Sequence, residues 1–356
     1  MFAKKYKQAI DRHEQFWERT NTDRPILNIS YKKEGFVPYP TPKTPEQKFL
    51  DIDYKYNAYK HNAENMGYLA EGVPLLFTNL GPGCLAESLG SGYKLTDRSV
   101  WFDVNTPVKD WDNPPKVEFD PKSELWTVME KEQKLYASDP DVHFSITDIG
   151  GIMDVVASLR GTQNLLYDLY DYPDEVREFT KQVKKEWFKA FDQQLKTVTS
   201  VDQPINNWMN IPSKKPWFPI QCDFCFMISP TQFEEFVLED IIDQANYMER
   251  SIYHLDGIGE LPHVDMLLDI ENLGGIQWVP GDNTESVTDP KWLDLYKKIQ
   301  DKNKCLVLTN CIDENDFEGL ERIVKTLDPR GVHLRINCST KDKAEDLVEK
   351  ITRWSE

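Results

Sequence analysis

Eight short apolar runs, each followed by sequence of helical character, constrain this chain more than any other feature. They fall at 26–31, 73–77, 142–147, 204–208, 251–255, 275–279, 304–309 and 332–336. Alternation of this kind over more than 300 residues predicts a closed (β/α)8 TIM barrel, an α/β fold occupying 1–356 as a single domain. Residues 1–25 form an N-terminal helical extension, with Tyr6, Ile10, His13, Phe16 and Trp17 at helical spacing. Helix starts are written locally. Thr44-Pro45 with Gln47, and Ser229-Pro230 with Gln232, combine a capping hydroxyl, proline at the first helical position and a glutamine three residues on. The stretch 91–121, rich in Pro, Asp and Trp, reads as an inserted excursion of short strands and loops. A doubly wound open sheet is the competing fold. It calls for a glycine-rich fingerprint after its first strand, and the one dense cluster, Gly81-Pro82-Gly83, has neither the dinucleotide nor the phosphate-loop spacing.

With 60 acidic against 42 basic residues, the net charge of −18 argues against nucleic acid and anionic membrane surfaces as partners. No uninterrupted apolar run reaches membrane-spanning length, and the first residues carry no apolar leader. Six cysteines in 356 residues do not make a disulfide framework, so a reducing cytoplasm is the expected location.

In a barrel of this type the chemistry belongs at the C-terminal ends of the strands. There the sequence offers Asn79, Asp148 before Gly150-Gly151, Asn207-Trp208, Gln277-Trp278, Thr309-Asn310-Cys311 and Asn337-Cys338. The run Tyr253-His254-Leu255-Asp256-Gly257 is the most pointed: in an extended segment His254 and Asp256 project to the same side. Gln221-Cys222-Asp223-Phe224-Cys225 falls in the long connection after the fourth run. Each residue also has an ordinary reading. Cys84, Cys305 and Cys311 suit core packing, Cys222 and Cys225 lack the second pair that a structural zinc site needs, and Asp148 suits a helix cap.

Several motifs in order carry a family resemblance. Ile228-Ser229-Pro230-Thr231-Gln232-Phe233-Glu234-Glu235-Phe236-Val237-Leu238, Tyr253–Gly257 with Gly275-Ile276-Gln277-Trp278, and Ala157-Ser158-Leu159-Arg160-Gly161 with Asp171-Tyr172-Pro173 resemble the uroporphyrinogen decarboxylase superfamily over roughly 70–350. That likeness implies a (β/α)8 barrel, and either cofactor-free tetrapyrrole decarboxylation or zinc-dependent methyl transfer with corrinoid proteins or thiols. The decarboxylase signatures, an Arg-rich first-strand loop and an Asp after the second strand, are missing: the first run ends Tyr31-Lys32-Lys33-Glu34 and the second Phe77-Thr78-Asn79. The chain looks most like a methyltransferase-like subgroup. That branch holds zinc with His-x-Cys and a distant Cys, which implies His254, Asp256 and Cys338 as ligands here, with Asp256 replacing a Cys. A carboxylate is a harder ligand than a thiolate and leaves zinc a stronger Lewis acid.

The expectation is therefore a zinc-dependent methyltransferase-like enzyme acting on a small molecule. Asp148, Asp223 and His254 are its catalytic candidates, while Asn79, Tyr253, Gln277 and Trp278 are its substrate-binding candidates. No cobalamin-binding D-x-H-x-x-G motif occurs, so a corrinoid would ride on a separate protein. The alternatives are a metal-free decarboxylase or lyase on a small carboxylic acid, and a barrel that binds a small molecule without turnover. For Cys338 two geometries are open. A regular strand leaves it an apolar plug beside Ile336, whereas a turn at Asn337 swings its sulfur towards His254.

Overall fold

A computed structural model describes residues 1–281, 284–309 and 312–356. Asn310 and Cys311 lie outside the described residues. The strands are β1 (Ile26–Lys32), β2 (Met66–Ala70), β3 (Gly92–Leu95), β4 (Val100–Val104), β5 (Trp217–Gln221), β6 (Arg250–Asp256), β7 (Gly275–Val279), β8 (Cys305–Leu308) and β9 (Val332–Cys338). One sheet runs in the order β2-β1-β9-β8-β7-β6-β5, parallel throughout except where β2 pairs antiparallel with β1. β3 and β4 form a separate hairpin inside the expected excursion. Helices separate the parallel strands, so this is an α/β fold, and the C-terminal ends of β1 and β5–β9 share one side of the sheet.

Three expected strands shrink to single contacts. Leu76 bridges Phe144 in parallel, and Ile205 bridges Ser213 antiparallel. The surrounding backbone bonds are Leu76 N to His143 O (2.8 Å), Ser145 N to Leu76 O (3.1 Å) and Ile146 N to Asn206 O (2.9 Å). Side chains take over the rest of the ladder. The Gln194 carbonyl accepts from Thr147 N (2.8 Å), the Ser145 hydroxyl accepts from Thr78 N (3.1 Å), and the Asn210 amide donates to Val73 O (2.9 Å). Buried backbone groups need partners, and here many are satisfied without a neighbouring strand.

Conversely, β5 was expected to be connection. Its five residues are all buried, but Pro219 interrupts the pattern, and proline is tolerated because β5 stands at the edge of the sheet with β6 as its ladder partner. The helix expected from Thr44 is two helices, Pro45–Phe49 and Ile52–Asn65, the second capped by Asp51 accepting from Tyr54 N. At Ser229 the reading holds: a reciprocal capping box joins Ser229 and Gln232 at the start of helix Pro230–Phe236.

The N-terminal helices Phe2–Lys5 and Lys7–Trp17 bury Phe2, Ile10, His13 and Phe16. The longest helix, Pro173–Val198, buries Val176, Phe179, Val183, Trp187, Ala190 and Phe191 on one face. Complete burial of such side chains is worth roughly 1.5–3 kcal/mol each before entropy. No helix of the described residues is long and apolar enough to cross a membrane.

Candidate active site

Register brings the first side chains together. Gln221 of β5, His254 of β6 and Gln277 of β7 are consecutive Cα partners, so all three project to the same face. His254 Nδ1 lies 2.6 Å from Gln277 Oε1, and the Gln277 amide in turn donates to the Thr309 hydroxyl. A carbonyl oxygen only accepts, so Nδ1 carries the proton, and in the neutral imidazole Nε2 then presents its lone pair. Nε2 stands 3.8 Å from Asp256 Oδ2, two residues along the same face. The Trp208 ring meets the imidazole edge-on at 6.3 Å.

Asp223 arrives from the short turn Asp223–Met227 that follows β5. Ligand atoms of Asp223, His254 and Asp256 all lie within 4.8 Å of one another. The turn is held from beneath by Asp154, whose carboxylate accepts from Asp223 N (3.1 Å) and Phe224 N (2.8 Å). Gly151 makes that approach feasible, since a Cβ there would stand 2.1 Å from Gln221 O. Gly257 closes β6 at φ +91, and a Cβ would meet the Phe226 ring at 3.1 Å, so both backbone and contact demand glycine.

Asp148 lies beside this cluster. Its Oδ1 accepts from Gly150 N (2.8 Å) and the Gln221 amide (3.2 Å). Burial pushes its carboxyl up to about 7, opposed by the Gly150 donor and reinforced by the Asp223 charge. The capping alternative is not realised, because the following helix, Ile152–Arg160, takes Gly151 as its N-cap. Asp223 is also shifted upwards, by desolvation first, with His254 opposing and Asp256 adding. A cavity of about 370 Å³ opens over Asp148, Asp223, His254 and Asp256, with Asn79 also on its wall.

Four expectations need correction. Cys338 does not join His254 and Asp256. Following the ladder, His254 aligns with Gln277, Gln277 with Val307 and Val307 with His333, so these four share a face. β9 stays regular through Cys338, five residues beyond His333, which puts the sulfur on the opposite face with buried Ile336. Burial, reinforced by Glu314, pushes that thiol up to about 11. Asp223 stands where Cys338 was expected. Tyr253 points away from the cavity as well, and its hydroxyl donates to Glu260 Oε2 at 2.9 Å. Trp278 lies on the same reverse face, packed edge-on against Trp292 at 4.9 Å. Gln277 orients His254 and is not part of the cavity wall. Cys222 and Cys225 are buried thiols hydrogen-bonded to each other, and burial raises both.

The sequence reading missed Arg98 on the cavity wall, Asp154 beneath Asp223, and Glu260. Glu260 is fully buried, accepts from Tyr253 and Asp256 N, and is driven up to about 9 mainly by desolvation. Asp154 carried a weak signal, an acidic residue in the first turn of a helix behind two glycines.

No family model and no curated protein matches the chain. Among solved structures it is similar to a methyltransferase from Methanosarcina mazei at 12% identity and a TM-score of 0.63, covering 98% of this chain and 99% of that one. The likeness extends over both chains nearly end to end and shows that they share a fold.

Proposed function

We propose that the cavity is the active site of a metal-dependent, methyltransferase-like enzyme acting on a small molecule, with Asp223, His254 and Asp256 as the ligands. The observation that carries this reading is the trio within 4.8 Å, with His254 Nε2 left free by the Gln277 bond at Nδ1. A ligating histidine whose other nitrogen is tied down is the arrangement metal sites use to fix tautomer and ring orientation. The donor set, one imidazole and two carboxylates, fits Zn²⁺ with an open position and is harder than a thiolate site. When bound, such an ion supplies Lewis acidity towards an oxygen or nitrogen bearing the transferred group. The protein's own contribution is to align the ligands and to hold a proton on Asp148, which titrates near neutrality and can donate to or accept from a leaving atom.

The same reading takes the wall through Leu76 and Phe144 as the part of the sheet that closes the (β/α)8 barrel. It takes the chain as a member of the uroporphyrinogen decarboxylase superfamily, with a corrinoid on a separate protein as methyl acceptor or donor. Elemental analysis of purified protein for zinc, manganese and iron tests the core of the proposal. We expect close to one ion per chain in wild type and none in His254→Ala. No bound metal after reconstitution refutes it.

A second reading has its own observation. Asp148 and Asp223 are both carboxyls that desolvation shifts upwards, the direction a metal-free lyase needs for its general acid. It predicts turnover of a carboxylated compound that is indifferent to chelators.

A further inference from the structure

The excursion at 91–121 supplies the cavity with Arg98. It sits in the turn between β3 and β4, and that turn is firmly tied. Thr96 N donates to Ser99 O (3.0 Å), the Thr96 hydroxyl donates to the same oxygen (2.7 Å), and Ser99 N donates back to that hydroxyl (3.0 Å). Lys48, from helix Pro45–Phe49, donates to Asp97 O at 2.5 Å. Immediately after the turn, Val100 presses on Gly81, where an added Cβ would stand 2.6 Å from the Val100 Cβ and φ is +86. The arginine is thus carried on a pinned scaffold over the Asn79–Pro82 turn.

Arg98 is exposed and, like Arg353, has no hydrogen bond or ion pair among the described residues, whereas the less exposed Arg12, Arg24, Arg160 and Arg250 are all engaged by carboxylates. Among the described residues it is also the only cation on a cavity wall whose other charged side chains, apart from His254, are Asp148, Asp223 and Asp256. An unpaired guanidinium in that setting is a receptor for an anion, and its planar fork matches a carboxylate. Three nearby carboxyl groups make a doubly charged phosphate costlier than a singly charged guest. The uncharged wall combines Asn79, Ser99, Gln221 and the Gly81-Pro82 turn with three aromatic side chains, Phe49, Phe77 and Trp208, and the Phe77 and Trp208 rings stand 6.4 Å apart, tilted by 50°. At about 370 Å³ the space is at the small end for ligand pockets.

We propose that the substrate of this site is a small aromatic monocarboxylate, its carboxylate held by Arg98 and its ring against Phe77 and Trp208. This rests on the reading of the cavity as an active site, but not on the metal. The test is calorimetric titration of benzoate and benzamide into metal-stripped wild type, Arg98→Met and Arg98→Lys, with the metal content of each preparation measured before stripping. Benzoate should bind wild type about tenfold or more tighter than benzamide, as expected for a charge-assisted pair. Arg98→Met should abolish that preference while leaving benzamide unchanged, and Arg98→Lys should restore part of it. Equal binding of the two probes, no benzoate binding to wild type, or a preference that survives in Arg98→Met overturns the proposal. Loss of the metal reading would register separately, as protein that never carried an ion yet still prefers benzoate through Arg98.

Discussion

Replacing Gln277 by Leu tests the argument that the second ring nitrogen decides what His254 can do. Gln277 is 1% exposed and receives the Nδ1 proton at 2.6 Å. Leu is close to it in size and takes away the acceptor. A neutral hydrogen bond of this kind contributes about 1 kcal/mol net, and the freed imidazole also loses its fixed tautomer and ring angle. Together these amount to about 1–2 kcal/mol, so metal affinity should fall roughly 5- to 30-fold, inside the range known for outer-shell partners of metal-bound histidines. Gln277→Glu should go the other way, since a carboxylate accepts the same proton more strongly and makes Nε2 a better donor. Competition titrations of zinc against a chromophoric chelator measure both variants, with thermal melts confirming the fold. Unchanged affinity in Gln277→Leu, or a Glu variant weaker than the Leu variant, would refute the argument.

Cys338→Ala should retain wild-type metal content, while Asp223→Asn should lose affinity for the ion. In wild type Cys338 should resist alkylation equally before and after chelation, because its sulfur is buried on the far face of β9. His143 is 0% exposed, and burial lowers its pKa from 6.5 to about 4. Its neutral form stabilises the fold fully above pH 6.5, and that contribution is lost as pH falls towards 4, about 2–3 kcal/mol by pH 4.5. Asp148 and Asp154, both raised to about 7, shift stability in the opposite sense over the same window, so the comparison must be between proteins. Denaturant titrations of wild type and His143→Gln at pH 7 and pH 4.5 should show the smaller loss in the variant; equal losses would count against a neutral buried His143.

The strands that could be read from sequence are those whose signal is local. The runs at 26–31, 251–255, 275–279 and 332–336 lie within β1, β6, β7 and β9, each rich in branched or aromatic residues and bounded by turn formers. The Ser229 cap was legible because both partners lie within four residues. Misreadings arose where the determining partner is distant. Residues 142–147 have a strand's apolar pattern, but Gln194 and Ser145 satisfy backbone groups that a ladder would have used. β5 was hidden by Pro219, and with it went the placement of Asp223 directly after a strand end. His254 and Asp256 were legible as a pair because period two fixes them together. Cys338 was misplaced because the resemblance overrode the same parity, which sets it with Ile336. Arg98 was invisible from strand ends, since it comes from an insertion folded back over the site.

The two sides of the cavity differ in how their backbones are secured. His254 and Gln277 stand on strands with ladder partners on both edges, whereas Asn79 and Asp148 follow segments joined by the single bridge Leu76–Phe144. Exchange of backbone amides with deuterated solvent should therefore be slow along β6, β7 and β8 and faster at Leu75, Phe77, Asn79, His143 and Asp148, which lie between the bonded amides of 73–79 and 142–148. On the proposed reading, the side carrying Asp148 is the one that can adjust to a guest without breaking a ladder, while His254 is held in place by its neighbours on β5 and β7.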